Sequence, residues 1–151
     1  MSRRDAIKMS PEEAQAFLEE QRTVTCATNG RHGFPHLMPL WYVLREGRIW
    51  AWTYAKSQKV RNLERDPRAT LQVESGVEYA DLRGVMLRCD VKIHRDVEVV
   101  TDFAMELVDR YMGGGDGARD GFRQQAPKRV ALEFVERDRV TWDHRKLGGT
   151  Y

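Results

Sequence analysis

The stretch IWAWTYAKSQKVRNLERDP, residues 49–67, joins a segment of alternating β-type residues to the start of a short helix. Ser57 stands where a helix N-cap is expected, because its hydroxyl can accept a hydrogen bond from a free N–H group of the first turn. Lys56, Lys59 and Arg61 crowd this helix start, where the helix dipole favours anions. The stretch therefore predicts either a site for a phosphate group, built from N–H groups, a hydroxyl and cations, or a solvated basic turn.

The composition indicates one globular domain. The chain has 151 residues, of which 41% are hydrophobic, enough to form a core. Its 25 basic and 23 acidic residues nearly balance, so the formal net charge is only +2. Nucleic-acid-binding proteins usually carry a larger basic excess, and no nucleic-acid partner is expected. We predict a flexible N-terminal arm over residues 1–9 and a single cofactor-binding domain over residues 10–151.

The sequence shows no sign of membrane insertion or export. No stretch approaches the roughly 18–20 consecutive apolar residues that a bilayer-spanning helix needs. The chain begins MSRRDAIKMSPEEAQ, in which the arginines are followed by no apolar signal core. These patterns predict a cytoplasmic protein.

The cysteines and histidines show no metal-binding or redox pattern. Cys26 and Cys89 each lie in an apolar, strand-like run without CxxC spacing, so buried reduced thiols are expected. The four histidines, at positions 32, 36, 94 and 144, form no HExxH or HxH motif. No metal site is predicted.

The hydrophobic pattern predicts a mainly β, α+β protein. Predicted helices cover residues 11–21, 57–65 and 97–112. Predicted strands cover residues 23–28, 35–44, 48–54, 67–74, 79–94, 129–135 and 139–142, the last two forming a hairpin around 136–138, and Gly84 is expected to mark a bulge or bend. Because short turns join most strands, we predict a small closed or partly closed antiparallel barrel of about seven strands with peripheral helices.

Aromatic residues alternate along two neighbouring predicted strands, at Trp41, Tyr42, Trp50, Trp52 and Tyr54. One face of these strands is expected to belong to the core. The other face predicts either a surface for a flat ring system or ordinary cross-strand packing.

The sequence contains no motif for covalent catalysis. It has no GxSxG, and the glycine-rich stretch GGGDGARDG, residues 113–121, lacks the GK[ST] ending of a phosphate-binding loop. We expect this stretch to be a flexible connector, or alternatively a lid over a ligand. A reaction driven by a bound cofactor, which the protein binds and orients, fits the sequence better than a protein nucleophile.

Four segments together resemble a known superfamily: SPEEAQAFLEEQRTVTCAT, PHLMPLWYVLREGRIWAWT, YAKSQKVRNLERDPR and RVTWDHRKLGG. They resemble the split β-barrel flavin-binding superfamily of pyridoxamine 5′-phosphate oxidase. Within it, the chain is most similar to the actinobacterial flavin/deazaflavin oxidoreductases that use coenzyme F-420, an 8-hydroxy-5-deazaflavin, and the WDHRKLGG ending is the most specific marker of that branch.

The resemblance implies a six- or seven-stranded antiparallel split barrel that forms a homodimer, with the cofactor in a groove at the dimer interface. It implies that Lys56, Ser57, Lys59 and Asn62 hold the cofactor phosphate, and that Thr53 is a further contact. The strand Met38, Pro39, Leu40 and Trp41 would run along the ring system and offer it main-chain groups. Arg145 and Lys146 would reach the cofactor from a docked C-terminal tail.

The implied activity is hydride transfer between C5 of coenzyme F-420 and a planar unsaturated, quinone-like or tetrapyrrole substrate. One alternative is an FMN-binding oxidase or electron-transfer protein of the same fold. A second alternative is a non-catalytic protein that binds a flavin, haem or tetrapyrrole.

Overall fold

The computed structural model describes residues 1–149, in which five α-helices surround one seven-stranded sheet. The strands are β1 (Thr23–Asn29), β2 (Pro35–Trp41), β3 (Val43–Arg45), β4 (Arg48–Tyr54), β5 (Arg68–Ser75), β6 (Arg83–His94) and β7 (Arg129–Asp143). The helices are α1 (Arg3–Ala6), α2 (Pro11–Glu20), α3 (Gln58–Arg65), α4 (Val97–Tyr111) and α5 (Asp116–Gln125). Three 3₁₀ helices span Tyr79–Asp81, Ala126–Lys128 and His144–Leu147. Residues 150 and 151 of the predicted domain lie outside the described residues.

Every neighbouring pair in the sheet is antiparallel, in the order β2-β1-β5-β6-β7-β4-β3. The sheet curls into a half-barrel, and β2 at one edge approaches β4 beside the other edge. The prediction of a six- or seven-stranded antiparallel sheet with peripheral helices is therefore confirmed. The inward side chains form the main core and include Val24, Cys26, Ile49, Ala51, Leu71, Val85, Leu132 and Phe134.

Helix α4 packs on the outer face of the sheet and forms a second core there. Its buried residues Phe103 and Leu107 pack in one cluster with Trp52 of β4 and Ala131 of β7. The Asp96 carboxylate accepts a hydrogen bond from the backbone N–H of Glu98 at 2.9 Å and caps the helix. Over residues 1–149 no helix is both long and apolar enough to cross a bilayer.

The predicted strand 35–44 is interrupted at Tyr42, and this corner passes the chain from one edge of the sheet to the other. The Tyr42 side chain is fully buried and donates a hydrogen bond to the carbonyl of Leu18 at 2.5 Å. The Tyr111 phenol of α4 accepts from the Tyr42 N–H at 3.0 Å and donates to its carbonyl at 2.7 Å. At Tyr42 the backbone N–H and carbonyl are therefore bonded to the Tyr111 side chain and not to a neighbouring strand. For this reason β2 ends and β3 begins here.

The prediction of a hairpin around residues 136–138 is wrong, because β7 runs unbroken from Arg129 to Asp143. The register against β6 shifts between Arg88 and Cys89, which leaves Arg137 as the extra residue of a β-bulge. Two of the charged residues that resemble a turn pair with residues of β6 instead, Arg137 with Asp90 and Asp138 with Arg88.

The glycine-rich stretch 113–121 is not a loop throughout, since α5 begins at Asp116. Glycine is a poor helix former, so tertiary contacts must offset its low propensity. Arg119 pairs with Asp109 of α4, and the Phe122 ring stacks on Trp52 with centroids 5.1 Å apart. These contacts attach the helix to the outer core, and its role as a lid stays a prediction.

The N-terminal arm and the C-terminal tail meet on the barrel of the same chain. Helix α1 lies inside the predicted arm, residues 1–9, whose flexibility stays a prediction. The Ile7 carbonyl accepts from the Asp143 N–H at 2.7 Å, and the Lys146 ammonium donates to the Lys8 carbonyl at 2.8 Å. Beside this contact, Gly84 faces the Trp142 indole, and a Cβ atom at Gly84 would lie 2.2 Å from Cζ2 of that ring. Gly84 therefore allows the Trp142 ring to pack closely on β6, and it is not the site of the β-bulge.

Gly84→Ala tests this contact between β6 and β7. The added methyl group has to displace the Trp142 indole, so we expect a loss of about 1–3 kcal/mol in the free energy of unfolding. The matched control is Gly117→Ala in α5, where a Cβ meets nothing within 4 Å and better helix propensity favours a gain of about 0.5–1 kcal/mol. Urea unfolding measures both, and equal stability of Gly84→Ala and the wild type would contradict the contact.

Candidate functional site

The candidate site lies at the junction of β4 and α3, where the chain passes from the sheet into a helix at one end of the barrel. The Ser57 hydroxyl accepts from the Val60 N–H at 3.3 Å and caps α3, as the sequence predicts. The Ser57 hydroxyl also lies 3.5 Å from the hydroxyl of Thr53, the inward-facing residue near the end of β4. Two hydroxyls and the start of a helix thus converge at one point.

Lys59 is the buried cation of this junction. Its side chain points into the barrel, only 4% of the residue is exposed, and its ammonium donates to the Thr53 hydroxyl at 3.3 Å. An ammonium group has three N–H donors, and within residues 1–149 no carboxylate forms an ion pair with Lys59. Burial lowers the pKa of this lysine below its ordinary value. The site therefore holds an uncompensated positive charge out of water.

The neighbouring thiol does not neutralise this charge. Cys26 of β1 is fully buried beside Lys59, and burial raises the pKa of its thiol to about 12. The thiol is therefore uncharged at neutral pH. Cys26 and Cys89 are both free, so their predicted reduced state agrees with the structure.

The other predicted phosphate ligands divide into an exposed and a buried set. Lys56 is exposed at the start of the junction and has no carboxylate partner in the described chain. Asn62 is fully buried, and its amide donates to the Thr28 hydroxyl at 3.1 Å. The Asn62 carbonyl oxygen accepts from Gln58 and from Arg65, each at 2.8 Å. These bonds give Asn62 a role in fixing α3 on the barrel, and its contact with a ligand stays a prediction.

Strand β2 faces this junction across an opening in the barrel, which we call the split. Met38 points inward, because it pairs with the buried Cys26 of β1, yet 45% of the residue is exposed. The barrel is therefore open beside β2. Leu40 is half-buried against the core, and Pro39 is exposed on the outer side of the same strand.

Trp41, the last residue of β2, forms an aromatic platform. Its indole stacks on the Tyr111 ring with centroids 4.5 Å apart and planes 8° from parallel. The residue remains 44% exposed, so one face of the indole is held by Tyr111 while part of the side chain meets solvent. The predicted ring-facing strand thus combines main-chain groups with an oriented aromatic surface.

Arg145 and Lys146 lie away from the junction within one chain. They belong to the 3₁₀ helix that follows β7, whereas the first residue of β7, Arg129, pairs with Tyr54 beside the junction. Arg145 donates to the Asp143 carboxylate at 2.7 and 2.9 Å, and Lys146 donates to Glu13 at 2.6 Å. Their contact with a cofactor stays a prediction and requires a second protomer.

Arg129 is a cation near the junction that the sequence did not single out. Its guanidinium lies 3.7 Å from the centroid of the Tyr54 ring and 4.7 Å from that of Trp52. The Arg129 Nε atom is buried without a hydrogen-bond partner in the described chain. In the sequence, Arg129 is only an arginine at the start of a predicted strand. The pairing of β4 with β7 is what places it beside the junction.

An open groove of about 660 Å³ along β1, β5, β6 and β7 offers a contrast. Three arginines line it, and each is paired with an aspartate: Arg68 with Asp66, Arg88 with Asp138, and Arg137 with Asp90. Its charges are therefore balanced, unlike that of Lys59. Across residues 1–149, no cluster of histidine, cysteine, aspartate and glutamate side chains has the arrangement of a metal site.

Lys59→Met tests whether the buried lysine is retained for function and not for stability. Because burial lowers its pKa, the folded state binds this proton less tightly than the unfolded chain does, so the charge reduces stability at neutral pH. We expect Lys59→Met to raise the free energy of unfolding at pH 7 by about 0.5–2 kcal/mol. The exposed control Lys56→Met should change it by less than about 0.5 kcal/mol. A marked loss of stability in Lys59→Met alone would make Lys59 a structural residue.

Comparison with known structures supports the architecture. A structure described as conserved hypothetical protein Rv2991 from Mycobacterium tuberculosis is 39% identical, with a TM-score of 0.90, and covers 100% of this chain and 95% of its own. An F420 reductase is 21% identical with a TM-score of 0.67, covering 86% of this chain and 98% of its own. HutZ, a haem storage protein from Vibrio cholerae, is 16% identical with a TM-score of 0.68, covering 85% of this chain and 90% of its own. The last two likenesses show the fold alone.

None of the curated proteins compared with the chain matches it. A family model, by contrast, matches residues 10–142, which include the whole sheet except its last residue together with the β4–α3 junction. That model describes pyridoxamine 5′-phosphate oxidase. The chain therefore belongs to the pyridoxamine 5′-phosphate oxidase family.

Proposed function

We propose that this protein is an oxidoreductase that binds the deazaflavin coenzyme F-420 with its phosphate at the β4–α3 junction. The observation that carries the proposal is Lys59, a buried ammonium whose described surroundings supply a hydroxyl and no counter-ion. An unpaired buried charge destabilises a folded protein, so it persists where a ligand completes it. A phosphate supplies both the missing negative charge and several hydrogen-bond acceptors.

The residues at the junction fit such a group. Thr53 and Ser57 place two hydroxyls beside the Lys59 ammonium, and the first turn of α3 adds the positive end of a helix dipole. Lys56 adds an exposed cation at the entrance. The interaction is strong because Lys59 is already out of water, so it needs little further desolvation when the anion binds.

The ring system would lie along β2, where the barrel is open. When bound, the deazaflavin supplies the hydride chemistry through its C5 atom. The protein binds and orients: the junction fixes the phosphate, the main chain of Met38–Trp41 faces the polar edge of the ring, and Trp41 offers an aromatic surface to a planar unsaturated, quinone-like or tetrapyrrole substrate.

The deazaflavin is preferred to FMN because of resemblance. The closing sequence WDHRKLGG resembles the coenzyme F-420 branch, and the fold is shared with an F420 reductase. The exposed cations Lys56 and Arg61 suit the oligoglutamate tail of this coenzyme, but they favour an anionic ligand in general and do not separate it from FMN. FMN remains the alternative ligand of the same junction.

The functional unit that we propose is a homodimer. Strand β2 is an unpaired sheet edge, and apolar side chains are exposed along it and in the turn before it: Phe34, Leu37, Met38 and Trp41. Such an edge is usually covered in a stable protein. A second chain packed there would cover the apolar side chains and bring its own tail residues Arg145 and Lys146 toward the cofactor.

Titration of the apo protein with the deazaflavin and with FMN, followed by fluorescence, tests the cofactor assignment. We expect the deazaflavin to bind more tightly than FMN. Lys59→Gln removes the buried charge and should weaken binding of the preferred cofactor by about ten- to a hundredfold. Arg88→Gln, in the groove with balanced charges, is the matched control and should leave the affinity unchanged.

Three outcomes would contradict parts of this proposal. Preferential binding of FMN would show that FMN, and not the deazaflavin, is the cofactor. Equal affinities of the wild type and Lys59→Gln would show that the phosphate does not bind at the junction. Tight binding without hydride transfer from the reduced deazaflavin to any quinone, enone or tetrapyrrole would make the protein a binding protein and not an enzyme.

Leu37→Arg tests the proposed dimer. A charge placed on the apolar edge of β2 should convert the dimer to a monomer, because burying an unpaired guanidinium in an interface is costly. The control is Val77→Arg, which changes an apolar residue that is even more exposed, on a loop away from β2. Sedimentation equilibrium measures both, and a dimer that survives Leu37→Arg would place the interface elsewhere.

A further inference from the structure

Another buried nitrogen without a described partner lies on the other side of the split, in His36 of β2. The Nδ1 atom of His36 is buried and has no hydrogen-bond partner among the described residues. Buried polar atoms are bonded in the great majority of cases, and an exception calls for an explanation.

The strand register places His36 on the inner face of the barrel. His36 pairs with Thr28 of β1, whose side chain is buried at the end of the barrel. Directly opposed residues of an antiparallel pair project to the same face, so the imidazole is also directed inward. Thr28 is joined to α3 through Asn62, and the diagonal neighbour of His36 on β1 is Cys26, at about 7–8 Å between Cα atoms. Cys26 lies beside Lys59, so His36 and Lys59 flank the same short piece of β1.

The charged groups near this end of the barrel are engaged elsewhere. Arg65 donates to the Asn29 carbonyl and to Asn62, and Asp66 accepts from Asn29 and pairs with Arg68. No described carboxylate or carbonyl is therefore left to bond His36 Nδ1. Within residues 1–149 this atom therefore has a bonding site open to a ligand or to water.

We propose that His36 is a further ligand of the cofactor phosphate and holds it from β2 while Lys59 holds it from α3. The inference rests on the proposed function, since it places the phosphate in the split. A phosphate accepts hydrogen bonds on several oxygens at once, so it can join donors from two elements. The His36 Nδ1 atom then gains a hydrogen-bond partner and the Lys59 ammonium a counter-ion, neither of which the described residues provide. The phosphate thereby ties β2 to the β4–α3 junction across the opening.

The test compares each phosphate-bearing cofactor with its phosphate-free counterpart: the deazaflavin coenzyme with its riboside, and FMN with riboflavin. Fluorescence titration of the wild type and of His36→Asn gives the ratio of the two affinities. For FMN and riboflavin this ratio isolates the phosphate contribution, whereas for the deazaflavin it also includes the oligoglutamate tail, so the FMN pair decides. We expect His36→Asn to lower that ratio about tenfold and to leave the phosphate-free ligands unaffected. The matched control His32→Asn changes an exposed histidine in the turn before β2 and should leave the ratio unchanged.

The outcomes separate this inference from the proposed function. If Lys59→Gln lowers the ratio and His36→Asn does not, the phosphate lies at the junction and His36 is not its ligand. If neither variant changes the ratio, both proposals fail. Should His36→Asn not fold, NMR of the wild-type protein with ¹⁵N-labelled histidine decides: addition of inorganic phosphate should shift the Nδ1 resonance of His36 and not that of His32, and an unmoved His36 resonance would overturn the inference.

Discussion

Tyr42 determines how the two edges of the sheet are placed. Edge strands β2 and β3 are separated by this one residue, so the chain has to pass from one edge to the other through it. Its buried phenol is bonded to Leu18, and the Tyr111 phenol bonds its backbone N–H and carbonyl. Because β4 returns antiparallel to β3, the end of β4 comes to lie beside β2. As a consequence, strand β2 and the β4–α3 junction face each other across the split.

The junction concentrates positive charge, and no carboxylate of residues 1–149 forms an ion pair with Lys56 or Lys59 there. Elsewhere on the sheet, arginines and aspartates are matched in pairs, as Arg88 and Arg137 show, and such exposed pairs contribute little to stability. Lys59 differs from them because it is buried and unmatched. Folding therefore retains an unfavourable charge at one place, which is typical of a binding site that is completed by its ligand.

Local signals in the sequence predicted the parts of the structure that depend on neighbouring residues. Helices α2, α3 and α4 follow from their caps at Ser10, Ser57 and Asp96, and the β4–α3 junction follows from its cations and hydroxyl. Long-range contacts could not be predicted in this way. Arg137 resembles a turn residue until its bond to Asp90 across the sheet is known, and α5 depends on Phe122 stacking on Trp52. The sequence alone does not show that His36 and Arg129 lie near the junction, because only strand pairing brings them there.

If Lys59 binds an anionic ligand, the ionisation of its own side chain must change on binding. NMR titration of the ¹⁵N-labelled Lys59 ammonium, in the apo protein and with saturating deazaflavin or FMN, gives its pKa in both states. We expect a pKa below the ordinary lysine value in the apo protein and a clear rise when the phosphate binds, because a nearby negative charge favours the protonated form. An unchanged pKa with bound cofactor would show that the phosphate does not bind beside Lys59.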